Sequence, residues 1–302
     1  MSVHRPDPRG DGDGWVECAQ GHRHWGLFGA AGLLLHRTHD GTRQVLLQHR
    51  ATWSHHGGTW GLLGGARHRE ESAVAAALRE AGEEGGLDAA SVRVQGRYDD
   101  VHGRWSYVTV LGSTHAATEA RPTGAESIDV AWVGVDEVAA LPLHPGFAAS
   151  WPWLHRSLRP LTVVVDAANV VGSRPDGWWR DRAGAARRLV AASARPAREG
   201  LPDGVLPDEL DRSPLSHWWP QVVVVLEGAA RAAAETSVPE VLVTAAPGAG
   251  DDAIVEAVRR AADGPTLVVT ADRELRARCA AVGAVAVGPS WWTRLVQEPE
   301  AR

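Results

Sequence analysis

From residue 161 onward the sequence contains five short, continuously apolar runs that are rich in β-branched residues. The runs are LTVVVDAAN, QVVVVLEG, EVLVTAA, PTLVVTAD and GAVAVGP, and helical patterns over residues 180–194, 252–262 and 273–282 separate several of them. Apolar strands that alternate with helices are typical of a parallel sheet covered on both faces. We therefore expect residues 160–302 to form an α/β domain with a mainly parallel sheet. Residues 194–220 are rich in Pro and acids, which favours a mobile insert.

The first half of the chain follows a different pattern, in which strands predominate. Residues 1–19 are polar and are interpreted as an N-terminal tail. GLFGAAGLLLHR and RQVLLQHR predict two strands joined by the turn HDGTR, and VRVQGRYD, WSYVTVLGST and IDVAWVG predict three more. Residues 144–160 favour a closing helix with a proline stop. Two α/β domains are therefore expected, over residues 20–159 and 160–302.

Composition and charge narrow the class of protein. The net charge is −6, and neither half of the chain carries the basic surplus that is typical of nucleic-acid binding. No apolar run approaches the length of a membrane span, and the polar N-terminus lacks the apolar core of a secretory signal. Cys18 and Cys279 are too few for a disulfide framework. These features predict a cytoplasmic protein without a membrane partner and leave the oligomeric state open.

Three carboxylates crowd one side of a helix predicted within residues 64–87, GGARHREESAVAAALREAGEEGGL. Glu80, Glu83 and Glu84 stand at positions i, i+3 and i+4, where like charges repel each other. They also lie near the helix C-terminus, where the helix dipole disfavours negative charge. Mg²⁺ or Mn²⁺, which prefer oxygen ligands, would relieve this repulsion. Because the preceding glycines permit close backbone approach to a ligand, the segment predicts metal-assisted attack on a phosphate chain.

The same segment resembles the Nudix box in full. Gly65 is followed after five residues by Glu71, and after seven more by the run REAGEEGGL that begins at Arg79. The resemblance extends over roughly residues 20–158 and implies an αβα sandwich with a mixed sheet. It implies hydrolysis of a nucleoside diphosphate linked to another group. The site residues that it implies are the metal ligands Glu80, Glu83 and Glu84, the supporting residues Arg79 and Glu71, and the cofactor-binding glycines Gly64 and Gly65.

Two positions depart from the Nudix pattern, and the catalytic base stays open. Leu63 stands where proline is usual, and Ala81 is small for an aliphatic position, but neither change removes a ligand. The base comes from varied positions in this family. The candidates here are Glu126, Asp99 and Asp100, and an ordinary surface role explains each of them equally well.

Aromatic and imidazole side chains offer two further candidate sites. Candidates for contact with a nucleotide base are Trp53, His55, His56 and Trp105, although packing in the core or at its rim is the favoured interpretation. The segment CAQGHRH places Cys18, His22 and His24 close together, which suggests zinc. No fourth ligand is evident and the spacing fits no familiar site, so we expect no metal there.

In the second half, acidic residues recur where the predicted strands end. Asp166, Glu227 and Asp272 close three of the apolar runs, and Asp251 and Asp252 follow another. Parallel strands deliver their carboxyl ends to one crevice, so these acids are expected to converge. A second explanation stays open for Asp251, Asp252 and Asp272, which precede predicted helices, because Asp is a favoured N-cap.

The motifs VVVDAANVVG, GAGDDAIV and VVTADRELRARCAAVGA resemble the NYN branch of the PIN-like nucleases. By that resemblance Asp166, Asn169, Asp251 and Asp272 surround Mg²⁺ or Mn²⁺, with Glu227 as a further acid, and RNA is cleaved. Trp178 and Trp179 are candidates for stacking bases, although burial is the favoured role of tryptophan. The nearby arginines are better explained as a solvated helix face; they are Arg180, Arg182, Arg187 and Arg188.

The sequence therefore predicts a bifunctional hydrolase. A Nudix pyrophosphohydrolase that acts on a nucleotide is fused to a PIN-like domain that cleaves RNA. The alternative keeps the Nudix enzyme and makes the second domain a non-catalytic RNA- or partner-binding module. Convergence of the acids in the second domain would favour the nuclease, whereas their scatter, or arginine side chains in their place, would favour the module.

Overall fold

The computed structural model describes residues 10–18, 21–210, 214–261 and 263–297. These residues fall into two units that divide between Leu158 and Arg159, with residues 214–216 joining the first unit. Among the described residues, no helix is both long enough and apolar enough to cross a membrane.

The first unit is built on a mixed sheet. The strands of the whole unit are β1 (Trp15–Glu17), β2 (Arg23–Trp25), β3 (Ala30–His39), β4 (Thr42–Arg50), β5 (Trp60–Gly61), β6 (Leu63–Ala66), β7 (Arg93–His102), β8 (Trp105–Ser113) and β9 (Ser127–Gly134). The helices of the unit are α1 (Ala73–Gly85) and α2 (Pro145–Leu154). The central strand β3 pairs parallel with β8 along one edge. Along its other edge it pairs antiparallel with β6 at its start and with β4 at its end. Strands β7, β5 and β9 extend the sheet by antiparallel pairing. The mixed sheet predicted from the Nudix resemblance is confirmed.

Helix α1 carries the three clustered glutamates and packs against this sheet through small side chains. Ser72 caps its start by accepting a hydrogen bond from the Ala75 amide (3.1 Å), and Gly86 ends it in the left-handed conformation at φ 67°. The buried residues of the helix are Ala73, Ala76, Ala77, Ala81 and Gly85. They join the core formed by Leu33, Leu63, Val108 and their neighbours. The small Ala81 therefore lets the helix lie close to the sheet, and the buried Leu63 fills the core without proline.

The N-terminal segment differs from the polar tail expected over residues 1–19. Residues 1–9 and 19–20 lie outside the described residues, but β1 pairs antiparallel with β2, so that Val16 lies opposite His24. Leu27 donates a backbone hydrogen bond to Gly12 O (2.7 Å). The tail prediction is wrong for residues 10–18, because a three-residue strand is too short to show an alternating pattern.

The second unit contains a five-stranded parallel sheet with the order β14-β13-β10-β15-β16. The strands of the whole unit are β10 (Thr162–Asp166), β11 (Leu201–Pro202), β12 (His217–Trp218), β13 (Gln221–Leu226), β14 (Val241–Ala245), β15 (Thr266–Val269) and β16 (Val285–Val287). Its helices are α3 (Ala167–Gly172), α4 (Arg182–Glu199), α5 (Gly250–Arg260), α6 (Arg273–Ala280) and α7 (Pro289–Val296). All four pairings among the five sheet strands are parallel. The prediction of a mainly parallel sheet is confirmed.

The segment predicted as a mobile insert, residues 194–220, is partly helical. Helix α4 runs through Pro196 and ends at Glu199, five residues beyond the predicted end at residue 194. Pro196 lies in the last turn, where it removes one backbone donor but does not end the helix. The short strands β11 and β12 then pair antiparallel through Leu201 and Trp218. In the described part of this segment, side chains such as Trp218 are buried, which a mobile insert does not show.

Candidate active site

Arg79 organises the acidic face of α1. Its Nε and Nη2 donate to the two carboxylate oxygens of Glu71, at 3.0 and 3.1 Å. Its Nη1 donates to Glu80 Oε1 (2.9 Å) and to Glu83 Oε2 (3.0 Å), and Nη2 also donates to Ala66 O (3.0 Å). Hydrogen bonds to an ionised acceptor are the strong ones, and a two-pronged pair also fixes orientation. One guanidinium therefore holds three of the predicted carboxylates in fixed positions.

Glu71 joins this network to the loop in front of the helix. Its Oε2 accepts a hydrogen bond from the His68 amide (3.0 Å), and its carbonyl oxygen accepts one from Arg67 Nη2 (2.7 Å). The pKa of Glu71 lies below its usual value: burial alone would raise it, and the hydrogen bonds from Arg79 and His68 outweigh burial. Glu71 is thus charged and anchored, which is the supporting role that the sequence predicts for it.

The absence of a side chain at Gly65 leaves space for the Glu80 carboxylate. A Cβ atom at Gly65 would lie only 2.5 Å from Glu80 Oε1 and 2.7 Å from its Cδ, far inside van der Waals contact. The Glu80 side chain is 15% exposed, and burial raises its pKa, against the lowering effect of Arg79. The bare backbone of β6 therefore forms one wall of the carboxylate site.

Glu84 lies deeper than its two neighbours. Its Oε2 accepts a hydrogen bond from the Gly64 amide (2.8 Å). Burial raises its pKa to about 7, against the lowering effects of Gln48 and the Gly64 amide and with a further raising effect from Glu80. A carboxyl with a pKa this far above its usual range carries a desolvation cost that a nearby cation would remove.

Two polar residues beside Glu84, the buried Gln48 and the half-buried Tyr107, were missed in the sequence. Gln48, on β4, is fully buried; its Nε2 donates to Ser127 Oγ (2.7 Å), and its Oε1 has no hydrogen-bond partner. Tyr107, on β8, has a pKa above its usual value because of burial first and the Glu84 charge second. The signal for Gln48 was present in the sequence, since it is a polar residue in the apolar run RQVLLQHR.

This set of donors fits Mg²⁺ or Mn²⁺. The acids outnumber the single Arg79 guanidinium, and all of their ligand atoms are carboxylate oxygens, which hard cations prefer. Glu83 has a side chain that is 61% exposed, so its carboxylate is open to a bound substrate as well as to a cation. Glu80, Glu83 and Glu84 would hold the cation, while Arg79 and Glu71 fix the helix that presents them.

The three base candidates have different surroundings. Asp99 Oδ1 accepts a hydrogen bond from Arg97 Nε (2.7 Å), and Asp100 Oδ1 lies 3.2 Å from His102 Nε2. Glu126 has an exposed side chain, and its carbonyl oxygen accepts a hydrogen bond from the Ala51 amide (2.8 Å). The partners of Asp99 and Asp100 occupy their carboxylates, so Glu126 stays the most accessible of the three.

The aromatic candidates separate into packed and exposed residues. Trp105 stacks on His24 with ring centroids 4.1 Å apart, and its Nε1 donates to Gly26 O (3.0 Å), as expected for packing. Trp53 is 67% exposed. His55 and His56 form a group with His144, in which one ligand atom from each residue lies within 4.8 Å of the others. Burial first, and then the neighbouring His56 and Arg50, lower the pKa of His144 to about 4. The participation of His144 was missed, because it is far away in sequence.

The second unit contains a cavity of about 510 Å³ at the carboxyl ends of its central strands. It is lined by the predicted acids Asp166, Glu227, Asp251 and Asp272, together with Asn169. The strand order changes direction at β10, which is where open α/β sheets bind ligands. The structure thus brings these five predicted residues together, whereas Asp252 does not line the cavity.

Hydrogen bonds fix the cavity acids. Asp166 Oδ1 accepts from the Asn169 amide (3.0 Å), and its Oδ2 accepts from Thr270 Oγ1 (2.9 Å). Asp272 caps α6 by accepting from the Leu275 amide (2.9 Å). Burial raises the pKa of Asp166, helped by the charges of Glu227 and Asp251 and opposed by its two hydrogen bonds. The capping explanation therefore holds for Asp272 but not for Asp251 and Asp252, which lie in the first turn of α5 after its N-cap Ala249. Asp166 is a further cap, at the start of α3.

The arginine and tryptophan candidates of this unit are not among the residues that line the cavity. Arg278 Nη1 lies 3.9 Å from Asp251 Oδ2 and its Nη2 bonds to Asp252. The Arg182 guanidinium lies 5.5 Å from the centroid of the Trp178 ring, and Trp179 is exposed. The remaining predicted arginines are exposed, as expected for a solvated face; they are Arg180, Arg187 and Arg188. Arg278 neutralises part of the acidic charge at Asp251 without lining the cavity.

An acidic helix that is locked by arginine against a glycine-containing strand defines a hydrolase that acts on phosphoric anhydrides. The NUDIX domain family model matches residues 27–156. A Mycobacterium tuberculosis protein named putative 8-oxo-dGTP diphosphatase 3 is 49% identical over 164 residues, which cover 51% of this chain and 73% of that protein. The chain therefore belongs to the Nudix family.

Two other similar proteins match about the same part of the chain. A Bifidobacterium longum nucleoside triphosphate pyrophosphatase/Nudix hydrolase fusion protein is 40% identical over 156 residues, which cover 50% of this chain and 31% of that protein. The crystal structure of RenU, a Nudix hydrolase from M. smegmatis, is 45% identical and covers 48% of this chain and 94% of that one, with a TM-score of 0.46. The Nudix resemblance is thus confirmed for the first unit, and the NYN resemblance of the second unit stays a prediction.

Proposed function

We propose that the first unit is a pyrophosphohydrolase that uses Mg²⁺ or Mn²⁺ to hydrolyse a nucleoside diphosphate linked to another group. The observation that carries this proposal is the Arg79 network, which fixes Glu71, Glu80 and Glu83 within 3.1 Å of a single guanidinium. So many carboxylates beside one cationic side chain leave an excess of negative charge. A polyphosphate substrate is itself anionic, so the site needs cations to bind it.

Some side chains of the site would bind the cation, and others fix the position of those ligands. A divalent cation held by Glu80, Glu83 and Glu84 would neutralise phosphate oxygens and lower the pKa of water. Arg79 and Glu71 fix the loop to the helix, and the hydrogen bonds from Arg79 keep the carboxylates of Glu80 and Glu83 close to each other. Glu84, buried beneath the Gly64 amide, ionises when positive charge is near. The exposed Glu126 is the proposed base for the attacking water.

The substrate class follows from the relatives together with the loop around His55. The M. tuberculosis relative is named for 8-oxo-dGTP, so a nucleoside triphosphate with an oxidised purine is the first substrate to test. Trp53 is exposed in the same loop as His55 and His56, and aromatic or imidazole faces stack on purine rings. Water would add across one phosphoanhydride bond, releasing a nucleoside monophosphate and pyrophosphate.

The test is hydrolysis by the Glu83→Gln variant of the full chain. Glutamine keeps the side-chain shape but removes one charged oxygen ligand, so we expect turnover of 8-oxo-dGTP with Mg²⁺ to fall by at least a hundredfold. The matched control is Glu137→Gln, which changes an exposed glutamate that makes no capping hydrogen bond. Pyrophosphate release measures both. Equal turnover in the Glu83→Gln variant and the parent would refute the role of the carboxylate face.

For the second unit we propose a metal-dependent ribonuclease. Its support is the convergence of Asp166, Glu227, Asp251 and Asp272 on one cavity of about 510 Å³. Divalent cations among such acids would activate water and stabilise the leaving oxygen of a phosphodiester. The rival proposal, a non-catalytic module that binds RNA or a protein, is favoured by Arg278, which neutralises Asp251.

The two proposals for the second unit predict different results for the Asp166→Asn variant. A ribonuclease cleaves single-stranded RNA with Mn²⁺, and Asp166→Asn abolishes cleavage because it removes a charged oxygen from the cavity. The control is Asp252→Asn, whose side chain is 75% exposed and lies outside the cavity. Both variants are made in a Glu83→Gln background, so that the first unit contributes no hydrolysis. RNA binding without cleavage in the parent would favour the module instead.

A further inference from the structure

One group of side chains outside both carboxylate sites has the composition of a transition-metal site. Cys18, His22, His24 and His102 each offer one ligand atom, and these atoms all lie within 4.8 Å of one another. The sequence shows only the first three, and the expectation that a fourth ligand is missing is wrong. The hairpin between β7 and β8 brings His102 to the other three from far along the chain.

The two hairpins that supply the ligands are held in place by other contacts. The Cys18 amide donates to His22 O (2.9 Å), and the Gly21 amide donates to Cys18 O (2.9 Å). At the other tip, His102 pairs directly with Trp105 across the β7–β8 hairpin. Trp105 stacks on His24 at 4.1 Å between ring centroids. The ligands are therefore positioned by the backbone and by packing before any ion binds.

Two polar atoms in this group have no other satisfactory explanation. Nε2 of His24 is buried and has no hydrogen-bond partner, and Cys18 is a buried free cysteine. A buried polar atom without a partner costs about 1–3 kcal/mol, a cost that a bound ion would remove.

We propose that Cys18, His22, His24 and His102 bind a structural Zn²⁺ ion. One thiolate and three imidazoles complete a closed tetrahedral shell, which is typical of structural zinc. Such a shell requires ligand atoms roughly 3.3–3.8 Å apart, and the four atoms here all lie within 4.8 Å of one another. Asp100 Oδ1 lies 3.2 Å from His102 Nε2, and a carboxylate in this position orients a zinc-bound imidazole.

The site would add a further link between the short β1–β2 hairpin and the β7–β8 hairpin. Strands β1 and β2 contain three residues each, and a hairpin of that size is at best marginally stable in water. The segment before β1 contacts the loop that leads to α1, since the Arg69 amide donates to Gly10 O (2.9 Å). Zinc at the hairpin would therefore steady the loop that carries Glu71, without taking part in hydrolysis.

The test measures bound metal in the full chain, purified without chelator. We expect elemental mass spectrometry to find one zinc ion per chain in the parent. The zinc content of Cys18→Ser and of His102→Ala should be less than one tenth of that value. The matched control is His56→Ala, which removes an imidazole from the other histidine group and should leave the zinc content unchanged. Zinc that is lost with His56 and kept in Cys18→Ser would overturn the proposal. Copper or nickel in place of zinc would overturn it as well.

A second measurement keeps the proposal testable if the variants fail to fold. Cobalt replaces zinc in the parent chain, and a tetrahedral site with a thiolate ligand then absorbs strongly in the visible range. Chelator should abolish this absorption and expose Cys18 to alkylation, while the fully buried Cys279 stays protected as an internal control. A parent chain that takes up neither zinc nor cobalt, or that shows a cobalt spectrum without thiolate, would refute the site.

Discussion

Glu84 lowers the stability of the metal-free protein when the pH rises, and the Glu84→Gln variant tests this effect. Burial raises the pKa of Glu84 from 4.5 to about 7. Below pH 4.5 the carboxyl is protonated in both the folded and the unfolded chain, so it costs nothing. Between the two values the unfolded chain releases the proton while the folded chain retains it, which favours unfolding as the pH rises. Above pH 7 the full cost is present.

The size of the effect follows from the shift. A shift of one pKa unit corresponds to about 1.4 kcal/mol, so the shift at Glu84 amounts to at most about 3 kcal/mol. Glutamine cannot ionise, and its side-chain oxygen still accepts the Gly64 hydrogen bond. We therefore expect Glu84→Gln to gain up to about 3 kcal/mol relative to the parent between pH 4.5 and 7.5. For a unit of this size that gain raises Tm by roughly 6–12 °C.

Differential scanning calorimetry of the full chain in chelator, at a series of pH values, measures this gain. The matched control is Glu83→Gln, because the Glu83 side chain is 61% exposed and lies on the same helix. Glu80 is common to the parent and the variant, so its contribution largely cancels. A difference in Tm between parent and Glu84→Gln that stays constant across the pH series would refute the reasoning. Adding Mg²⁺ should remove the difference by stabilising the parent alone.

Two further predictions concern the support of the carboxylates. Gly65→Ala should reduce hydrolysis at least tenfold and leave the protein folded, because its Cβ would meet Glu80 Oε1 at 2.5 Å; Gly124→Ala is the control, since nothing lies within 4 Å of its Cβ. Unchanged turnover by Gly65→Ala would contradict it. Arg79→Lys should lower the free energy of unfolding by about 1–3 kcal/mol and abolish hydrolysis, because lysine cannot bond both oxygens of Glu71. Denaturant titration checks this, and a midpoint equal to that of the parent would count against it.

Periodicity predicts the sheets well and the ends of the elements less well. The five apolar runs after residue 161 all become strands of one parallel sheet. The three inner strands β10, β13 and β15 are almost fully buried, and a strand buried on both faces needs an unbroken apolar run. The extension of α4 through Pro196 was missed, since packing of the helix outweighs the loss of one backbone donor. The strand β1 was missed because three residues carry too little pattern to distinguish a strand from a tail.

The candidate site shows a similar division between local and distant partners. Glu71, Arg79 and the three glutamates lie within one short segment. The spacing of the glutamates predicts a metal site there, and the Nudix resemblance adds Glu71 and Arg79. His144 reaches its partners only through the loops, and a single sequence contains no sign of those contacts. Gln48 stands out in the sequence as a polar residue in an apolar run, but its partners do not. His102 is a further example, because the hairpin that carries it has no zinc-like spacing of its own. Local motifs can therefore be predicted from the sequence, whereas ligands contributed by distant strands can be identified only when the fold is known.

The order of the strands in the second unit also decides when its acidic cavity can form during synthesis on the ribosome. Asp166 ends the central strand, but its partner Thr270 lies 104 residues further along the chain. In the first unit, Glu84 reaches Gly64 across only 20 residues. Because domains generally fold as units, N-terminal first, the carboxylate site of the Nudix unit can close while the second unit is still being translated. The nascent second unit exposes its apolar central strand until β15 leaves the exit tunnel, so pausing of translation before residue 266 should increase its aggregation.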